Sequence, residues 1–294
     1  MPGGRLRTFR LGDRSELLVQ HLLAGIAFTT PVPRQEDIGL DFLCSLITGY
    51  GRTNLLTAGP FFSVQAKSDT KALEYKEPHQ IEWIRNQENP LLLCVADREA
   101  GAMDVYSTWN LLCAVMNGWK GKQIPNCIRL RPGESHSWDW RGVEDQEDGS
   151  QDVLLGKPII RITHQQIFDD SSVGQIAQIL GDWIKLDREN IVNCRAGLNW
   201  VIGPVSYESG VSPWQNVAAS FYWNPRNLPK CSENLVRAAV AVWRILRDPN
   251  IANQVPTGPW SDGLVPLEEL LRWVLKQQPA LRQFLPDLET DLPR

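Results

Sequence analysis

The segment Arg34-Gln35-Glu36-Asp37-Ile38-Gly39-Leu40-Asp41-Phe42, followed after a glycine-containing gap by Phe61-Phe62-Ser63-Val64-Gln65-Ala66-Lys67, decides the fold. Both ends alternate. Leu40, Phe42, Cys44 and Leu46 interleave with Asp41, Leu43 and Ser45, and Phe62, Val64 and Ala66 interleave with Ser63, Gln65 and Lys67. A strand turns successive side chains to opposite faces, so this period reads as two β-strands with Gln65 and Lys67 pointing the same way. Gly49, Gly51 and Gly59 in the connection permit a hairpin that sets Asp41 beside them. A carboxylate, an amide and an ammonium then share one end of a sheet. Such a group is able to hold a divalent cation against a phosphodiester.

The flanking sequence supplies the rest of a sheet and its helices. Residues 1–11 read as a loose arm. Asp13 and Glu16, three apart, form a capping box for a helix with Leu17, Leu18, His21 and Leu22 on its apolar face, ending at Gly25. Residues 26–30 form a short strand stopped by Pro31 and Pro33. A second helix starts at Glu77-Pro78, with proline in its first turn. Residues 91–96 are continuously apolar, as in a strand buried on both faces. Residues 103–106 form a further strand, Ser107 caps a helix running to Gly118, and 127–130 form another strand. The order predicts an α/β or α+β fold with a mixed central sheet flanked by helices.

Beyond an acidic stretch at 139–152 the character changes. Residues 159–162 form a strand and 173–186 a helix, while 199–230 are rich in Trp, Pro and Gly and read as irregular. Ser232 and Pro266 each open a helix. The expected division is a sheet domain over 1–165 and a mostly helical, Trp-rich region over 166–294. Trp138, Trp140, Trp200, Trp214 and Trp223 suit either base stacking or ordinary packing.

Net charge is −4 over 294 residues, so there is no bulk attraction to nucleic acid, although Arg5, Arg7, Arg10 and Arg14 cluster, as do Lys67, Lys71 and Lys76. The six cysteines show no Cys-x-x-Cys spacing and read as reduced core residues, not as a zinc site or disulfide framework. No apolar run approaches a membrane span and the Arg-rich start lacks a signal peptide's apolar core, so a cytoplasmic location is expected. A P-loop, a dinucleotide fingerprint and a nucleophile elbow are all missing from the sequence. His21 reads as a core histidine, and His136 and His164 have no partner at metal-ligand spacing.

Three motifs in order, Gly12-Asp13-Arg14-Ser15-Glu16, Asp37-Ile38-Gly39-Leu40-Asp41 and Gln65-Ala66-Lys67-Ser68, resemble the PD-(D/E)XK nuclease superfamily. Within it they resemble the Mrr-like and resolvase-like Gln-x-Lys variant, and are similar to a bacterial defence-associated domain family of unknown function. The likeness covers roughly residues 6–135, and a Gln stands where the superfamily usually has an acid. It implies a Mg²⁺- or Mn²⁺-dependent endonuclease acting on DNA, with RNA as a further possible substrate, in an anti-phage or restriction setting. It also implies a homodimer or a partner protein of a defence system. Catalysis would fall to Asp41, Gln65, Lys67 and Glu16. The cation would be held by Asp41, Gln65, Glu16 and the Ala66 carbonyl, and His79, Gln80 and Lys71 would face phosphate. Taken singly, the same residues also have plain roles. Glu16 suits a capping acid, Asp37 a turn, and Gln65 and Lys67 a solvated strand face. Asp41 is harder to place that way, because Asp is depleted in strands and a buried carboxylate needs partners. The alternative expectation is a catalytically silent nuclease-fold subunit that binds nucleic acid or a protein partner.

Overall fold

A computed structural model describes residues 7–33, 39–49, 56–117, 125–134, 141–195, 200–215 and 217–221. The chain begins with α1 (Arg7–Ala24), β1 (Ala27–Pro31), β2 (Phe42–Thr48), β3 (Thr57–Lys67), β4 (Leu73–Tyr75), α2 (Pro78–Arg85) and β5 (Leu91–Asp97). It continues through β6 (Ala102–Ser107), α3 (Leu111–Asn117), β7 (Ile128–Pro132), β8 (Val143–Asp145), β9 (Gln151–Gly156), β10 (Ile160–Thr163), α4 (Asp170–Arg195), β11 (Trp200–Pro204) and β12 (Val217–Phe221).

The central sheet has the order β1-β2-β3-β5-β6-β10 and is mixed. The β3–β5 pair is parallel, and the other neighbours are antiparallel. On one face α1 and α4 enclose a core that includes Leu22, Phe42, Phe62, Val64, Leu92, Cys94, Leu180 and Trp183. On the other face, Leu91, Leu93 and Val95 pack with Tyr75, Ile81 and Ile84 and with Ile128, Leu130 and Val153 of a second sheet, ordered β4-β7-β9-β8. β5 therefore contributes alternate residues to two cores, which is why its sequence is apolar without a break.

Several boundaries differ from the sequence expectation. α1 starts at Arg7, so Asp13 and Glu16 lie inside the helix and form no capping box. The acidic stretch contains β8 and the first residues of β9. There Asp152, only 5 % exposed, accepts from Arg131 Nε at 2.7 Å and pairs with Arg129. Those two arginines come from β7, the parallel neighbour of β9. Pairing with cations across the ladder allows a carboxylate to be buried in a strand that composition alone reads as a loop. The stretch expected to be irregular holds an antiparallel hairpin of β11 and β12. Gly203 in β11 lies against Trp109, and a Cβ there would run into the indole ring.

The first compact unit is Met1–Arg195 with Asn199–Trp223, and the second is Ala196–Leu198 with Asn224–Arg294. The 165/166 division therefore moves, because α4 is a core helix of the first unit. Its buried Val173, Ile176, Ala177, Leu180, Trp183 and Ile184 recur at helical spacing and join the α1 core. The helices expected from Ser232 and Pro266 lie outside the described residues. Cys44, Cys94, Cys113, Cys127 and Cys194 are buried thiols, and Cys231 lies outside the described residues. Among the described residues, no helix is long and apolar enough to cross a membrane.

Candidate functional site

Asp41 sits at a bend just before β2. Gly39, with φ +81°, makes the preceding turn in a backbone region that side chains disfavour. The bend is held on both sides. Asp41 N donates to Val64 O at 2.9 Å, and Val32 N donates to Asp41 O at 2.8 Å. The antiparallel register Phe42↔Val64 places Asp41 next to Gln65 at the end of the β2–β3 ladder. The Asp41 carboxylate then collects two donors. Its Oδ2 accepts from Gln65 Nε2 at 2.6 Å and from the Ala66 backbone N–H at 2.7 Å.

α1 brings Glu16 to the same place. A cleft of about 360 Å³ is lined by Asp13, Glu16, Leu17 and Gln20 of the helix and by Pro31, Val32, Asp41 and Phe42 of the strands. The spacing 13, 16, 17, 20 is one face of a helix, so Asp13 joins Glu16 there. Sequence reasoning gave Asp13 only a capping role. The i, i+3 relation to Glu16 was the available signal, and it was masked by placing the helix start too late.

The other expected site residues divide. Lys67 follows Gln65 on the same face of β3 and is half-buried. Its Nζ donates to Ala72 O at 3.4 Å. Burial lowers its pKa, and positive Lys71 adds to this, while the negative charges of Asp69 and Glu74 oppose it. Lys71 is exposed and pairs with Asp69 at 3.6 Å. His79 is exposed at the start of α2. Gln80 caps that helix, its Oε1 accepting from Lys76 N at 3.0 Å and Glu77 N at 3.1 Å, so this oxygen is spent on backbone. Asp37 lies outside the described residues. His21 is a correction, because it is exposed, not core. Its Nε2 lies 3.0 Å from His164 Nδ1, with Phe168 packed against both rings. A sequence separation of 143 residues hides that pair. Of the tryptophans, Trp214 is partly buried against the first core, with Lys185 Nζ 5.7 Å from its ring centroid.

A small, hard cation is the kind of ion these oxygens would hold. Mg²⁺ prefers oxygen ligands and takes one or two carboxylates, keeping several waters. Glu16 and Asp41 line the cleft as carboxylates, and Gln65 and the Ala66 carbonyl are neutral oxygen sources beside Asp41. Among the described His, Cys, Asp and Glu side chains, no group of three converges closely enough to hold a metal. Any such set would rest on Glu16 and Asp41, completed by the neutral oxygens beside Asp41. Gln65 presents its nitrogen to Asp41, so its oxygen serves as a ligand only after the amide turns.

Fold and site together define an α/β protein with a mixed sheet and an acidic cleft at a strand end. Comparison of the chain with models of protein families, with curated proteins and with solved structures finds no match in any of the three.

Proposed function

We propose that the first unit is a metal-dependent phosphodiesterase, an endonuclease acting on DNA, related to the PD-(D/E)XK nucleases. One observation carries this reading. Glu16 and Asp41 line one cleft, and Asp41 Oδ2 accepts from the Gln65 side chain and the Ala66 N–H at the end of the β2–β3 ladder. Asp41 and Glu16 would hold Mg²⁺ or Mn²⁺, joined by the Gln65 amide oxygen and the Ala66 carbonyl. When bound, the cation would supply Lewis-acid polarisation of the phosphodiester. Lys67 would leave the Ala72 carbonyl and place its ammonium beside the phosphoryl oxygens that gain charge. Its depressed pKa makes the neutral form more accessible, which suits an amine that also orients the attacking water. Residues 224–294 would select substrate, assemble copies or regulate the cut in a defence setting. The proposed location is cytoplasmic.

A second reading, a silent subunit of the same fold that binds nucleic acid or protein, is favoured by the 2.6 Å bond that satisfies Asp41 without a cation. Plasmid cleavage with Mg²⁺ or Mn²⁺ separates the two. The nuclease reading expects nicking or cutting by the wild type and losses of at least about 100-fold in Asp41→Ala and Lys67→Ala. Equal silence from all three proteins, with and without neighbouring gene products, supports the silent subunit.

A further inference from the structure

Tyr75 ends β4 and is 3 % exposed, in the same cluster as Leu40, Ile84, Leu93 and Val95. Its ring stacks with Trp83 at 6.2 Å between centroids. Its hydroxyl is buried and has no hydrogen-bond partner among the described residues. An unpaired buried hydroxyl is a cost that phenylalanine would avoid at nearly the same volume. The surroundings give the hydroxyl a use. A Cβ at Gly39 would stand 3.4 Å from Tyr75 Cε1, so the ring lies against the turn that carries Asp41 two residues later. Burial, and then the negative charge of Asp41, raise the Tyr75 pKa.

Asp41 Oδ2 accepts from Gln65 Nε2 and Ala66 N. Gln65 can bind a cation only through Oε1, and turning that oxygen inward withdraws Nε2 from Asp41. We propose that Tyr75 is the replacement donor: its hydroxyl hydrogen-bonds the Asp41 carboxylate when Gln65 turns to a divalent cation. Tyr75 is thus a positioning residue, acting through Asp41, and the inference rests on the cation-site reading given under the proposed function. The hydroxyl stays unpaired in the cation-free protein and is satisfied in the loaded one. The stability cost falls on the free form, and cation binding relieves it.

The test compares the full-length wild type, Tyr75→Phe and Asp41→Asn in three measurements: thermal melting without metal, calorimetric titration with Mn²⁺, and the near-ultraviolet difference spectrum on adding Mn²⁺. Tyr75→Phe is expected to melt at the same or a higher temperature, to bind Mn²⁺ about 10-fold more weakly, and to lose a red-shifted tyrosine difference band that the wild type shows. Unchanged Mn²⁺ affinity in Tyr75→Phe, with binding abolished in Asp41→Asn, overturns the inference and leaves the cation site standing. A lower metal-free melting temperature for Tyr75→Phe overturns it too, since the hydroxyl would then already be paired. Absence of Mn²⁺ binding by the wild type removes the cation site and this inference together.

Discussion

Gln65 donates its side-chain amide to Asp41 at 2.6 Å across the β2–β3 pair, so the cleft's strand carboxylate is held by a neutral donor. The bond makes the site self-sufficient. A neutral donor at this distance stabilises a carboxylate, whereas a second carboxylate would repel it unless a cation or proton came between them.

Gln65→Glu therefore tests the site through stability instead of turnover. The variant is expected to be less stable than the wild type at pH 8 without metal, by roughly 1–3 kcal/mol, because a donor is replaced by a like charge. Added Mn²⁺ is expected to restore the loss and to raise the melting temperature more than in the wild type. Urea unfolding with and without Mn²⁺ reads both effects. A Gln65→Glu protein indifferent to Mn²⁺ would argue against a cation beside Asp41.

Asp187, on α4, is 3 % exposed, and burial pushes its pKa up to about 7, with the Leu91 N–H pulling partly back. The unfolded chain releases this proton near pH 4. Between about pH 4 and pH 7 the folded form holds a proton that the unfolded form has lost. Stability from this group is complete below that window and disappears as pH rises through it. At roughly 1.4 kcal/mol per pH unit the full effect is on the order of 4 kcal/mol. Asp187→Asn is expected to flatten the stability profile between pH 5 and pH 8, and to be more stable than the wild type at pH 8. Urea midpoints at the two pH values check it.

Asn190 is fully buried on α4 and closes two bonds with one residue of β11. Its Nδ2 donates to Ile202 O, and Ile202 N donates to its Oδ1, each at 2.7 Å. The side chain thus replaces a strand neighbour for that residue. Asn190→Ala removes both partners of the part-buried Ile202 N–H and C=O and is expected to cost about 2–4 kcal/mol. Exchange protection of the Ile202 amide is expected to fall more than that of β5 amides. Equal loss at both places would mean global destabilisation only.

Much of the framework was legible because period and punctuation act locally. The alternation at 42–46 and 62–66, the unbroken apolar run at 91–96 and the proline opening α2 each specify an element without help from distant residues. Asp41 stood out for the same reason, since an acid among Leu40 and Phe42 demands partners. Where sequence reading failed, the deciding partner lay far away along the chain. β8 and β9 form in acidic sequence because Arg129 and Arg131 neutralise Asp152. β11 forms in a Trp- and Gly-rich stretch because Asn190 satisfies Ile202 and Trp109 fills the space over Gly203. α4 belongs to the first unit because the sheet has an apolar face to cover.

The sequence by itself determined the order of the helices and strands that build the central sheet, the parity that puts Gln65 and Lys67 on one strand face, and the place of Asp41 at a strand end. Only the tertiary structure decided which donors Asp41 collects, that Asp13 shares the cleft with Glu16, that the Gln80 oxygen is spent on its own helix cap, and that His21 meets His164 in solvent. The reason is physical. Backbone periodicity is set by neighbours in the chain, whereas the partner of a polar side chain is whichever group packing brings within hydrogen-bond reach.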